Sequence, residues 1–169
     1  MKINSVIRSL LLPLIGDPLL LPSVVLAEVI SYRMPEFLSG APSWLLGLVE
    51  WRGISVPVLS FEEFRNNSLN DAYPATTPLG TRIAILNGIT DNPLLPFLGL
   101  RIQGIPRLVL VREGDLILCK DKTSRADANS TMYLTVELLD QPAFIPDLEA
   151  FELLISSYMK NESRISSSE

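Results

Sequence analysis

Prolines, glycines and aspartates cut this chain into short apolar runs from one end to the other, with 13 prolines and 9 glycines among 169 residues. That cutting constrains the fold more than any other feature. A proline in a helix interior breaks the helix, and parallel βαβ units need helices between their strands. What remains is a series of short strands joined by turns. Residues 9–15, 19–21, 44–51, 54–61, 82–86, 97–102, 107–111 and 116–119 read as strands. Residues 24–32 fit either a strand or a short helix, because periodicity cannot decide for so short a run. Residues 132–138 alternate as a half-exposed strand. Over residues 147–159, Leu148, Phe151, Leu154, Ile155 and Tyr158 recur at intervals of three and four, which makes one apolar helix face with Asp147 as its N-cap. About eight to ten strands before a single helix is a mainly β pattern and suggests small barrels.

Composition narrows the function. The length suits one domain, spanning residues 1–160, or two small subdomains sharing a core. At 47% hydrophobic and 20% charged, the chain is a globular type. There is no histidine and one cysteine, Cys119. A Ser-His-Asp or Cys-His nucleophilic site cannot be built, and neither can a Cys/His zinc site or an internal disulfide. A net charge of -5 with scattered Lys and Arg argues against nucleic acid, including an OB-like single-strand binder. Isolated glycines give no phosphate-binding loop. Pro13, Gly16, Asp17 and Pro18 interrupt the first apolar run, so a secretory signal is not expected, and no window is long enough for a membrane span. The expected location is the cytoplasm, with no cofactor, no metal and no enzymatic activity. Residues 65–80 and 121–130 read as polar loops, and 161–169 as a flexible tail.

Residues 42–57 carry the candidate site. Arg52-Gly53 is a turn between two apolar strands, with the glycine supplying a positive φ. A cation raised on such a turn is how a binding surface is presented. Arg52 pairs either with a partner's carboxylate or with carbonyls of its own turn. Trp44 and Trp51 are seven residues apart and so face opposite sides of one extended strand; at most one faces a core unless a bulge intervenes. Trp44 is assigned to the core, and Trp51 stays open between core and interface. Glu28, alone in an apolar run, reads as solvent-facing. The adjacent pair Glu62-Glu63 diverges and reads as a solvated turn, so a carboxylate-based hydrolase lacks its two converging acids. Cys119 reads as a small buried hydrophobe.

These residues resemble the CheW-like family of chemotaxis adaptors. The match runs over about residues 8–158 through Leu21-Pro22, Val24-Val25 and Glu28-Val29-Ile30, then Ala41-Pro42, Trp44, Gly47-Leu48, Arg52-Gly53 and Pro57-Val58, then Gly99-Leu100 with Ile102, and finally Asp147-Leu148. The resemblance implies two intertwined SH3-like five-stranded β-barrel subdomains with a hydrophobic groove between them and a C-terminal helix. It implies a non-catalytic adaptor bridging a methyl-accepting chemoreceptor and the regulatory domain of a chemotaxis histidine kinase, with weak self-association through an exposed groove. It places partner contact at Arg52, Gly53, Trp51, Glu50 and Glu28. Three departures mark a divergent member, such as an accessory adaptor of a pilus-motility system. Glu50 stands where the family usually has Asn, Ile102-Gln103 where it often has Val-Asp, and the 65–80 segment is long.

Overall fold

The computed structural model describes residues 5–69, 77–119 and 132–165. The elements run β1 (Val6–Leu12), β2 (Leu19–Pro22), a 3-10 turn (Ser23–Val25), β3 (Leu26–Ser31), β4 (Leu45–Trp51), β5 (Ile54–Leu59), α1 (Phe61–Leu69), β6 (Thr81–Asn87), β7 (Phe97–Gln103), β8 (Arg107–Arg112), β9 (Leu116–Leu118), β10 (Tyr133–Leu138), β11 (Gln141–Pro146) and α2 (Leu148–Ile165). The ambiguous run 24–32 is both things in turn, a 3-10 turn followed by a strand.

The strands form two sheets, ordered β8-β1-β2-β11-β10-β9 and β3-β6-β7-β5-β4. The five-stranded subdomain is contiguous in sequence. The six-stranded one draws β1 and β2 from the start of the chain and β8 to β11 from its second half, so the two are intertwined. It carries one strand more than the five expected. Strand β11, which the sequence reading passed over, pairs with β10 along its whole length and with β2 at Phe144↔Leu19.

Each sheet curls around its own apolar interior. In the five-stranded subdomain this is Val49, Trp51, Val56, Val58, Ile83 and Ile85, with Ile30 and Phe97 against them, so every strand contributes. The edge strands β3 and β4 approach each other where residue 36, beyond β3, exchanges two backbone hydrogen bonds with Leu48, at 2.7 and 2.9 Å. A Cβ at Gly47 would run into the Glu36 carbonyl, which requires glycine there. Among the described residues, the six-stranded interior is wholly aliphatic, with Leu11, Leu20, Val111, Val136, Leu138 and Ala143 as its buried members.

A third and larger cluster lies between the sheets, where Phe61 and Phe64 of α1 meet Phe151 and Ile155 of α2. Trp44 joins it edge-on to Phe64, with ring centroids 5.5 Å apart. Both tryptophans are thus buried, in different clusters. The register shift between Leu45 and Gly47 and the two-sided burial of the sheet allow what simple alternation does not.

Two buried carboxylates cross-link the subdomains through these helices. Glu62 of α1 accepts from the Ile15 backbone N–H at 3.2 Å and from the Ser60 hydroxyl at 3.0 Å. Glu152 of α2 accepts from the backbone N–H groups of Ile89 (2.6 Å) and Thr90 (3.0 Å) and from the Thr90 hydroxyl. The expected solvated Glu62-Glu63 turn is therefore corrected: Glu62 is buried, and Glu63 pairs with buried Arg101 at 3.3 Å. The segment 65–80, expected as a loop, begins helical, since α1 runs to Leu69. Ser60 caps that helix by accepting from the Glu63 N–H at 3.2 Å. Asp147 caps α2, its Oδ1 accepting from the Ala150 N–H at 3.0 Å. Helix α2 extends to Ile165, into the expected tail. The expected loop at 121–130 lies outside the described residues.

Candidate functional site

The β4–β5 hairpin closes through two residues, with Trp51 paired to Ile54 across the turn. Arg52 has φ 51° and Gly53 φ 77°. Positive φ at both central positions is a type I′ turn, whose twist matches that of the flanking strands. The glycine adopts this freely. Arg52 adopts it as a side-chain-bearing residue, which the sequence reading did not anticipate.

Below the turn, Trp51 is 7% exposed and packs edge-on against Phe97, with ring centroids 4.8 Å apart. Its indole N–H needs an acceptor once buried. Glu28 supplies it. Glu28 lies on β3, opposite Ile85 and on the same face as Ile30, just after a bulge between Leu26 and Glu28. It therefore sits at the inner rim of the curled sheet, partly exposed and at the same time bonded inward. Its Oε2 accepts from Trp51 Nε1 at 3.0 Å and from Arg52 Nη2 at 2.9 Å. The Arg52 guanidinium also lies over the Trp51 ring, 4.7 Å from its centroid.

β3 and β4 are opposite edges of the same sheet, so this triad is a side-chain clasp across its open seam. Its strength is unequal. The Arg52 side chain is 71% exposed and that of Glu28 39%, and an ion pair so exposed contributes about 0.2–1 kcal/mol. The buried indole and its charged hydrogen bond hold the corner. Only Nη2 of Arg52 is engaged among the described contacts; the remaining N–H donors of the planar fork are available to a second acceptor.

The structure thus brings Glu28, Trp51 and Arg52 together. Glu50 is exposed on the opposite face of β4 from Trp51, and Gly53 completes the turn with open space around it. Arg52 bonds neither to its own turn nor, in the isolated chain, to a partner; its partner is internal, 24 residues away. The signal available in the sequence was parity. Glu28 shares the apolar face of its strand with Ile30, and an acid in that position needs a donor.

This corner has no acid–base pair and no preformed metal shell. Among the described residues, no group of three or more His, Cys, Asp or Glu could hold a metal. No helix is long and apolar enough to cross a membrane. What the corner offers is a rigid, exposed planar cation on a short turn.

No protein-family model matches the chain, and no curated protein matches it in sequence. Among solved structures, it is similar to the scaffolding protein TtCheW from Thermoanaerobacter tengcongensis, with a TM-score of 0.64 at 14% identity over 85% of this chain and 90% of that one. At that identity the likeness establishes the fold: a mainly β, CheW-like arrangement of two β subdomains with a C-terminal helix.

Proposed function

We propose that this protein is a non-catalytic adaptor of a chemotaxis-type signalling array. In this reading it couples a methyl-accepting chemoreceptor to the regulatory domain of a histidine kinase, in the cytoplasm, by protein contacts alone. The observation that carries the proposal is the CheW-like fold along nearly the whole chain, joined to an exposed Arg52 held on a rigid corner. Arg52 meets a partner carboxylate with its free donors, while Glu28 and Trp51 fix its direction. Glu50 and Gly53 border the contact and shape partner choice. The departures at Glu50 and Gln103 fit a divergent, accessory adaptor, such as one serving pilus motility.

The test is a pull-down from the organism's own lysate using three forms: wild type, Arg52→Glu, and the charge swap Glu28→Arg/Arg52→Glu. The wild type should recover a chemoreceptor or a chemotaxis-type histidine kinase, and Arg52→Glu should lose it. The swap restores the internal pair but presents the opposite charge outward, so it should remain deficient. Recovery by the swap would reassign Arg52 to an internal role. Failure of the folded wild type to recover either protein would remove the adaptor reading.

A further inference from the structure

The six-stranded subdomain is open where the five-stranded one is plugged. Beside its β10–β11 hairpin lies a cavity of about 460 Å³, within the ~300–1,000 Å³ range of small-molecule sites. Its floor is apolar and belongs to the sheet interior: Leu11, Val109, Leu138 and Ala143. Leu138 precedes its turn as Trp51 precedes the other, yet it carries no ring, and no aromatic residue belongs to this interior cluster among the described residues.

Two opposite charges line the same cavity, Arg107 and Asp17. Neither side chain has an ion pair or hydrogen bond among the described residues, so both charges remain available to a guest. A plain carboxylate would be attracted by Arg107 and repelled by Asp17; a plain amine would meet the reverse. A zwitterion satisfies both, and an apolar body on it removes the leucine and valine floor from water. Leu139 holds φ 48° in its turn, an unusual conformation for a bulky side chain, and is 67% exposed at the cavity mouth.

We propose that this cavity binds a small zwitterion with an apolar body, of the type of a free aromatic amino acid, with its carboxylate on Arg107 and its ammonium at Asp17. The site is independent of the Arg52 corner and does not rest on the adaptor reading.

The experiment is methyl-detected NMR titration of the full chain with L-phenylalanine, 3-phenylpropionate, which lacks the ammonium, and phenethylamine, which lacks the carboxylate. Phenylalanine should shift the methyl resonances of Leu11, Val109 and Leu138 in a saturable way, and each truncated probe should bind at least about fivefold more weakly. Arg107→Gln should weaken phenylalanine by a similar factor while leaving phenethylamine unchanged. Asp17→Asn should do the converse, weakening phenylalanine and sparing phenylpropionate. Both positions lie at the surface, so either variant reports binding rather than folding. No saturable shift at millimolar phenylalanine, equal binding of the three probes, or indifference of phenylalanine to both substitutions would each overturn the assignment.

Discussion

The two hairpins at β4–β5 and β10–β11 share a backbone solution and differ in what lies beneath it. Each closes through two residues with positive φ, Arg52-Gly53 in one and Leu139-Asp140 in the other. The first stands on a buried tryptophan, ring-packed on Phe97 and tied by Glu28 to the opposite edge of its sheet. The second stands on Leu138 and a cavity, with its Leu139 N–H donating to the Asp115 carbonyl of the neighbouring turn at 3.2 Å. A type I′ turn therefore fixes where a tip points, while the side chain before the turn decides whether the tip is a rigid post or the rim of a hollow. One tip displays a charge; the other surrounds space.

This contrast can be broken experimentally, beginning where the effect is largest. Trp51→Ala should cost about 4 kcal/mol in urea unfolding, since it removes a buried aromatic together with its hydrogen bond to Glu28. It should also leave the Arg52 turn without its support. A loss below about 1 kcal/mol would mean the first hairpin is held from elsewhere.

The next largest effect tests whether such different subdomains still unfold together. Glu152→Ala deprives the Ile89 and Thr90 donors of their acceptor and should cost about 3 kcal/mol. Tryptophan fluorescence and far-ultraviolet circular dichroism should still report one coincident transition. Separated transitions would show that each sheet is a unit of its own.

Leu139→Gly should stabilise the chain by about 1 kcal/mol, because it relieves a positive φ at a mostly exposed side chain. The same logic makes Gly53→Ala destabilising by a similar ~1 kcal/mol, although open space surrounds that glycine. Paired thermal melts of opposite sign would confirm that the two turns share one backbone requirement. Smallest of all, Arg52→Gln should change stability by no more than about 0.5 kcal/mol, an exposed pair being a weak source of stability. A larger loss would make Arg52 a structural residue before it is a contact.

Much of this architecture was legible in the residues. The Arg52-Gly53 turn, the flanking strands and the apolar face of α2 follow from local chemistry, and local chemistry is what a single sequence records best. Strand β11 was hidden by Pro142 and Pro146, which usually argue against a strand. The structure accommodates them because β11 meets β2 only at Phe144, and both prolines flank that pairing. Helix α1 was hidden by the loop reading of residues 65–80, because its polar sequence resembles a loop; the Ser60-Phe61-Glu62-Glu63 capping pattern was its one positive sign. The Glu28–Trp51–Arg52 clasp was only half visible. Its members were picked out singly, but their meeting depends on the curl of a sheet that brings edges 23 and 24 residues apart together. The cavity left no mark at all, since an absent aromatic is not a motif.

The chain order of the sheets also bears on synthesis. The strands of the five-stranded sheet are complete once Gln103 has emerged, and all of them come from one continuous stretch. Of these strands β1 and β2 are made earliest, but β1 finds its second neighbour, β8, roughly a hundred residues later, and β2 finds β11 later still. The molecule therefore assembles from its middle outward. The β1–β2 hairpin thus waits for β8 and β11, and closing so long a loop is the kind of contact that forms slowly.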